Sequence, residues 1–238
     1  MLIIQKTFTE TKNILYLVST PIGNMNDFSF RALETLKTVD YILAEDTRIS
    51  MKILNFYNFK NKLISLHKYN EKSRIKQVLF LLNNNKNLAL ISDAGTPLIN
   101  DPGFFLVKEV QKAGFFVTVI PGASAFLSAF VLSSFEIPFL FLGYIPKKKI
   151  DKKKILLKYF LFDGTIIFYE SAKRIKKTLT FIREIYGNRN ISLSRELTKK
   201  FETIVNGSLD DILKEELIIK GEYVLVIEKY KKMLIDEC

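Results

Sequence analysis

Short apolar runs alternate with amphipathic helical stretches along most of this chain, and that alternation restricts the fold more than any other feature. The runs fall at 14–18, 41–44, 63–66, 88–91, 117–120, 139–142, 165–169, 191–193 and 223–227. Helical spacing of apolar residues occupies 28–36, 48–56, 71–82, 104–113, 125–132, 150–160, 174–185 and 209–217. The pattern predicts an α/β protein, and the runs are continuous rather than alternating, as strands are when helices cover both faces of a parallel sheet. The last third differs. There 191–195 and 203–206 read as successive strands, and 223–227 as another after one helix, so a mixed sheet with flanking helices is expected. The expected division is a tail at 1–13, an N-terminal domain at 14–120 with a mostly parallel sheet, and a C-terminal domain at 121–238. A length of 238 residues suits two such domains.

The densest cluster of conformationally special residues follows the run at 88–91. Ser92-Asp93-Ala94-Gly95-Thr96-Pro97 continues through Ile99-Asn100-Asp101-Pro102-Gly103 before helical spacing resumes at Phe104. Glycine permits close backbone approach and proline fixes φ, and in open α/β sheets ligands sit at the carboxyl ends of strands. Three further strand ends carry similar chemistry: Ser19-Thr20-Pro21-Ile22-Gly23-Asn24, Pro121-Gly122-Ala123-Ser124-Ala125 and Tyr169-Glu170-Ser171-Ala172-Lys173-Arg174. Together they suggest loops around a small-molecule site. Ser124 reads as a helix N-cap, at a helix start that also favours a hydroxyl-rich or anionic ligand. No Gly-x-Gly-x-x-Gly follows any strand and no Gly-x-x-x-x-Gly-Lys-Ser/Thr occurs, which argues against a Rossmann dinucleotide site and against NTP hydrolysis.

Two charged strand ends carry alternative readings. Glu45-Asp46-Thr47-Arg48 either holds or deprotonates a hydroxyl, or forms a salt-bridged N-cap. Arg195-Glu196-Leu197-Thr198-Lys199-Lys200 is built the same way. The lone histidine, His67, reads as a hydrogen-bonding loop residue rather than a base. With one histidine and one cysteine, the terminal Cys238, the chain offers no intrachain disulfide and no zinc site of the usual type, so no metal is expected and the setting is a reducing, cytoplasmic one.

The formal net charge is +11. Such a surface favours polyanions, although Lys-, Asn- and Ile-rich usage also raises charge without function. Six of the eight residues at 147–154 are lysines, read either as a flexible phosphate-contacting segment or as a solvated face. The stretch 125–145 carries one charge, Glu136, but Ser128, Ser133, Ser134, Glu136 and Pro138 interrupt it, so two buried elements, a helix and then a strand, are expected rather than a membrane span. The N-terminal tail has no signal-peptide pattern.

In this order, Thr20-Pro21-Ile22-Gly23-Asn24, Ala44-Glu45-Asp46-Thr47-Arg48, Ser92-Asp93-Ala94-Gly95-Thr96-Pro97, Pro121-Gly122-Ala123-Ser124, Phe168-Tyr169-Glu170-Ser171 and Ser194-Arg195-Glu196-Leu197-Thr198-Lys199 resemble the ribosomal RNA small subunit methyltransferase I family, within the tetrapyrrole methylase superfamily. The likeness runs from about Ile14 to Ile227. It implies a two-domain α/β homodimer that binds S-adenosylmethionine in an interdomain cleft and 2′-O-methylates a cytidine ribose in the decoding region of small-subunit RNA, free or in the assembled 30S subunit. It also implies cofactor contacts from Pro21, Asp93, Ala94, Gly95, Ile99, Ser124, Ala125, Glu170 and Leu197. Catalytic candidates for the hydroxyl proton are Asp46, Arg195 and Lys199, the lysine only if burial or cationic neighbours make it a base. Lys173 stands where family members often have His. Two rival functions are a tetrapyrrole C-methyltransferase and a non-enzymatic RNA-binding module.

Overall fold

Each apolar run of the first half becomes a strand, and the continuity of those runs has a geometric reason. The computed structural model describes residues 4–7 and 13–230. It sets β1 (Ile14–Val18), β2 (Tyr41–Ala44), β3 (Lys62–Ser65), β4 (Leu88–Ile91) and β5 (Phe116–Ile120) in a sheet of order β3-β2-β4-β1-β5. Every pairing in it is parallel. Successive side chains point to opposite faces, so each run is sorted by parity into two cores. Ile42, Ala44, Ala89 and Ile91 enter one, with Leu36 of α1 (Phe30–Thr38) and Leu54 of α2 (Thr47–Phe56). Leu43, Leu88 and Leu90 enter the other, with Val78 and Leu82 of α3 (Glu71–Asn83) and Leu106 of α4 (Phe104–Lys112).

Local chemistry sets the helix ends. Ser29 caps α1 by accepting the Ala32 N–H at 3.2 Å. Gly103 precedes α4 and has no side chain to cap it. Instead the buried Glu71, at the start of α3, accepts the Leu106 N–H at 2.9 Å. Gly103 itself has φ +123°, and a Cβ there would lie 2.6 Å from Leu90 Cδ2, so only glycine lets this loop descend onto β4.

The chain divides into two compact units, Met1–Ser124 and Ala125–Cys238. The division follows Ser124, a few residues beyond the Pro121-Gly122 break read from the sequence. Most of the 1–13 tail and all of Cys238 lie outside the described residues. In the second unit β6 (Phe139–Tyr144), β7 (Thr165–Ser171), β8 (Asn190–Arg195), β9 (Thr203–Ser208) and β10 (Glu222–Ile227) form a sheet of order β6-β7-β10-β8-β9. Only β6 and β7 run parallel, which makes the sheet mixed. One face packs Phe168, Leu193 and Leu225 against α6 (Lys149–Lys158), α7 (Ile175–Tyr186) and α8 (Leu209–Lys214) through Leu156, Leu179 and Ile212. The helix α5 (Ala125–Ser133) packs Phe126 on Phe141 with centroids 4.3 Å apart, and Phe130 on Phe139 at 4.6 Å.

The weakly charged 125–145 segment is therefore a helix followed by a strand. No helix among the described residues is long and apolar enough to cross a membrane. The expectation that both elements are buried fails for each: Leu127 and Val131 of α5 face solvent, the latter 69% exposed, and Phe139 and Tyr144 of β6 are exposed as well.

Candidate active site

The parallel register ends four strands of the first unit at one level. Val18 pairs with Ile91 and with Ile120, and Ala44 with Ile91, so the next residues begin their loops side by side at the carboxyl edge. These loops are bonded to each other. Thr20 and Gly95 exchange backbone hydrogen bonds of 2.9 and 3.1 Å, and the Ser19 N–H donates to the Ile120 carbonyl at 3.1 Å. The Ser19 and Thr96 hydroxyls lie 3.0 Å apart, and Thr96 Oγ1 donates to the Ala123 carbonyl at 3.3 Å. Ser92 Oγ donates to the Gly95 carbonyl at 3.0 Å. Two glycines permit this closeness. Gly95 has φ +82°, and a Cβ on Gly122 would meet Ser19 Cβ at 2.9 Å. The result is a seat walled by peptide backbone and small hydroxyls.

Carboxylates of the same edge stand beside that seat. Asp93 Oδ1 accepts the Asp46 N–H at 3.2 Å, which joins the β4 and β2 loops. Asp46 caps α2: its Oδ1 accepts the Arg48 N–H at 2.9 Å, and Arg48 Nη2 donates to Oδ2 at 2.6 Å. The Arg48 side-chain bond, then the Arg48 N–H, hold the Asp46 carboxyl down at about 2. It is thus a salt-bridged cap, one of its two expected readings, and a weak base. Its neighbours move the other way. Burial, then the Asp93 charge, push Glu45 up, and burial does the same to Asp93 against the opposing Asp46 N–H bond. Asp101 goes furthest, to about 7, through burial first and then the charges of Glu45 and Asp93, with a Ser92 hydrogen bond opposing them. Sequence reasoning missed Asp101 because an Asp before Pro-Gly reads as a turn former. Among the described residues no group of three His, Cys, Asp or Glu side chains is arranged to hold a metal ion.

The other candidates are placed as follows. Pro21 is buried directly after the Thr20–Gly95 bridge, and Ala94 is exposed between Asp93 and Gly95. Ile99 lies between two left-handed residues, Leu98 (φ 73°) and Asn100 (φ 67°). Leu197, in the second unit, is held the same way between Glu196 (φ 50°) and Thr198 (φ 65°). Such conformations cost about 1–3 kcal/mol each and persist where surroundings enforce them, often at ligand sites. Ser124 ends the first unit and Ala125 begins α5.

Glu170 is fully buried and its carboxylate is engaged inside the second unit. It accepts from Arg174, from Thr178 Oγ1 at 2.6 Å and from the Ser171 N–H at 2.7 Å. Arg195, 5% exposed, donates to the Lys220 carbonyl at 2.7 Å and the Phe201 carbonyl at 3.1 Å, and so fastens the Leu197 loop. Lys199 is exposed with Nζ 3.3 Å from Glu196, without the burial required of a lysine base. Lys173 is exposed. His67 Nδ1 accepts the Tyr69 N–H at 3.3 Å, the loop role expected of it.

The first unit thus carries a glycine-cradled seat at the carboxyl edge of a parallel sheet, with no Rossmann fingerprint, and the second unit has a mixed five-stranded sheet. Residues 14–213 match the family of tetrapyrrole (corrin/porphyrin) methylases, and the chain belongs to that family. It is a methyltransferase whose methyl donor is S-adenosylmethionine. Within the family it is 46% identical to the ribosomal RNA small subunit methyltransferase I of Mycoplasmopsis pulmonis, covering 89% of this chain and 96% of that one. It is 43% identical to the Bacillus subtilis enzyme of that name, covering 94% and 78%. A crystal structure of diphthine synthase shares the fold, with a TM-score of 0.72 at 11% identity over 92% of this chain and 91% of that one.

The strand-edge residues fit this donor, which carries a sulfonium and an ammonium. Three carboxylates, Glu45, Asp93 and Asp101, gather beside the seat in a chain of net charge +11. Exposed backbone at Ala94 and Gly122 and the half-buried hydroxyl of Thr96 offer the polar contacts that a ribose and an amino acid require.

Proposed function

We propose that this methyltransferase modifies small-subunit ribosomal RNA, transferring a methyl group to the 2′-hydroxyl of a cytidine ribose in the decoding region. The observation that carries this reading is the 46% and 43% identity, over most of each chain, to enzymes named for methylating that RNA. The six loop motifs from Thr20 to Lys199 support it. The proposed cofactor residues are Pro21, Asp93, Ala94, Gly95, Ile99, Ser124, Ala125, Glu170 and Leu197. Glu170 enters through its backbone, since its carboxylate is engaged by Arg174 and Thr178.

When bound, S-adenosylmethionine supplies a methyl group already activated on sulfur. The task left to the chain is to align a hydroxyl and remove its proton late in the transfer. Asp101 is the proposed acceptor, because it shares an edge with Glu45 and Asp93 and titrates near neutral pH. Of the candidates named from sequence, Asp46 acts beside it by orienting Asp93 through its N–H. Arg195 acts by positioning the Leu197 loop, and Lys199 by presenting a cation to the RNA backbone.

A homodimer is part of the proposal, supported by the exposed apolar side chains of Leu127, Val131 and Ile137. So is a cytoplasmic location, with free RNA or the assembled 30S subunit as substrate. The test is incubation of the enzyme with labelled S-adenosylmethionine and hypomethylated small subunits, followed by nuclease mapping. Label on one ribose 2′-oxygen is expected. Label on a base, transfer to a tetrapyrrole instead, or RNA binding without transfer would overturn the reading.

A further inference from the structure

The lysine-rich tract is divided by the fold into an anchor and an array. Residues 149–158 form α6, and Lys152 turns inward, 7% exposed. Its Nζ donates to Thr178 Oγ1 at 2.6 Å and lies 3.9 Å from Glu170 Oε2, while Thr178 bonds the same carboxylate. One lysine thus pins α6 to α7 and β7. Lys149 places its ammonium over the Phe181 ring, 5.3 Å from the centroid, while the residue stays exposed. With the helix pinned, Lys147, Lys148, Lys153 and Lys154 are held exposed.

The neighbouring helix extends the array. Thr178 and Phe181 touch α6, and residues four positions apart on a helix are neighbours, so Lys177 stands on the flank of α7 beside it, whereas the Arg174 guanidinium is committed to Glu170. Lys173 and Lys176 are exposed close by in sequence. The one acidic residue within α6 is Asp151. We propose that this α6–α7 face of the second unit is a docking surface for the phosphate backbone of RNA, a proposal that rests on the reading of an RNA substrate given above.

The chemistry favours a backbone contact over the other polyanions. Lysine is a point charge suited to phosphate, and α6 contains no aromatic residue on which a base would stack. A helix of ten residues is about 15 Å long, a span that meets several phosphates. An anionic membrane would need a broad apolar face, and Leu156 on α6 is instead committed to the core, which leaves Ile150 and Leu157 exposed.

The test compares the wild-type protein with a Lys147→Gln, Lys148→Gln, Lys153→Gln, Lys154→Gln variant. A control of equal charge change carries Lys37→Gln, Lys52→Gln, Lys60→Gln and Lys76→Gln in the first unit. Binding to small-subunit RNA is measured across salt concentrations, with methyl transfer and S-adenosylmethionine calorimetry in parallel. The variant should lose at least tenfold in RNA affinity at low salt and flatten the salt slope by about 3, near 0.7–0.9 per lysine. KM for RNA should rise with kcat and donor affinity unchanged, and the control should match wild type. An unchanged slope, an equal loss in the control, or loss of binding to phosphatidylglycerol vesicles with RNA binding intact would each overturn the proposal. Failure of the wild-type enzyme to methylate RNA would instead strike the substrate reading, since the binding arms are read without turnover.

Discussion

Replacing Asp101 with Asn should make the protein more stable at pH 8, by an amount that vanishes in acid. The folded carboxyl titrates near 7 against an ordinary value of 3.8, so between those pH values the folded chain keeps a proton that the unfolded chain has released. Stability contributed by such a group falls as pH rises through the window. At about 1.36 kcal/mol per pH unit, the full gap corresponds to at most about 4 kcal/mol. Asp101 keeps part of its surface in solvent, and screening reduces this to about 1–2 kcal/mol. The facing groups are Glu45 and Asp93, with Asp46, Arg48 and His67 next to them, and the first two shift in the same direction. Urea unfolding followed by circular dichroism at pH 4, 5.5, 7 and 8, without methyl donor, reads the difference between Asp101→Asn and wild type. It should grow steadily above pH 4 and approach about 1–2 kcal/mol at pH 8. A difference that stays flat, or one that favours wild type as pH rises, would refute the placement of Asp101 among uncompensated carboxylates. Saturating S-adenosylmethionine should shrink the effect, because a bound cation favours the ionised carboxyl. The same variant should lose methyl transfer, stability gained at a site where function requires strain.

Other substitutions test separate parts of the structure. Glu71→Ala removes the acceptor for the Leu106 N–H and should lower stability by about 1–3 kcal/mol in denaturant titrations, with Glu71→Gln recovering most of it. Gly122→Ala drives a methyl against Ser19 Cβ and should weaken S-adenosylmethionine binding by about tenfold or more in calorimetry, roughly 1.4 kcal/mol, while lowering stability by about 1–3 kcal/mol. In the second unit the response should be asymmetric. Glu170→Ala strands the buried Lys152 and should cost about 3–5 kcal/mol, whereas Lys152→Met leaves Glu170 paired with Arg174 and should cost about 1 kcal/mol or less. Equal losses in thermal melts would contradict the network as described.

Strands were legible where burial on both faces forces an uninterrupted apolar run. The expected 14–18, 41–44 and 88–91 coincide with β1, β2 and β4. The mixed character of the second sheet was legible for a related reason, since 191–195 and 203–206 lie too close together for a crossover helix. Side-chain partnerships across long separations were not legible. Nothing in a run of lysines marks Lys152 as the one that turns inward, because Thr178, 26 positions away, supplies the reason. Glu170 sits in a motif that resembles a cofactor loop, yet its carboxylate is held by a helix that starts at Ile175. Asp101 gains its character first from burial and then from Glu45 on another strand end. The half-exposed α5 escaped notice because apolar composition alone does not distinguish a core helix from an interface helix.

The exchange of hydrogen bonds between Thr20 and Gly95 ties together peptide groups 75 positions apart. No fragment that stops short of the fourth strand can own half of this seat. A ribosome must deliver the chain beyond Ala123 before the proposed donor seat closes, and a truncated product should be blind to the donor rather than weakly responsive to it.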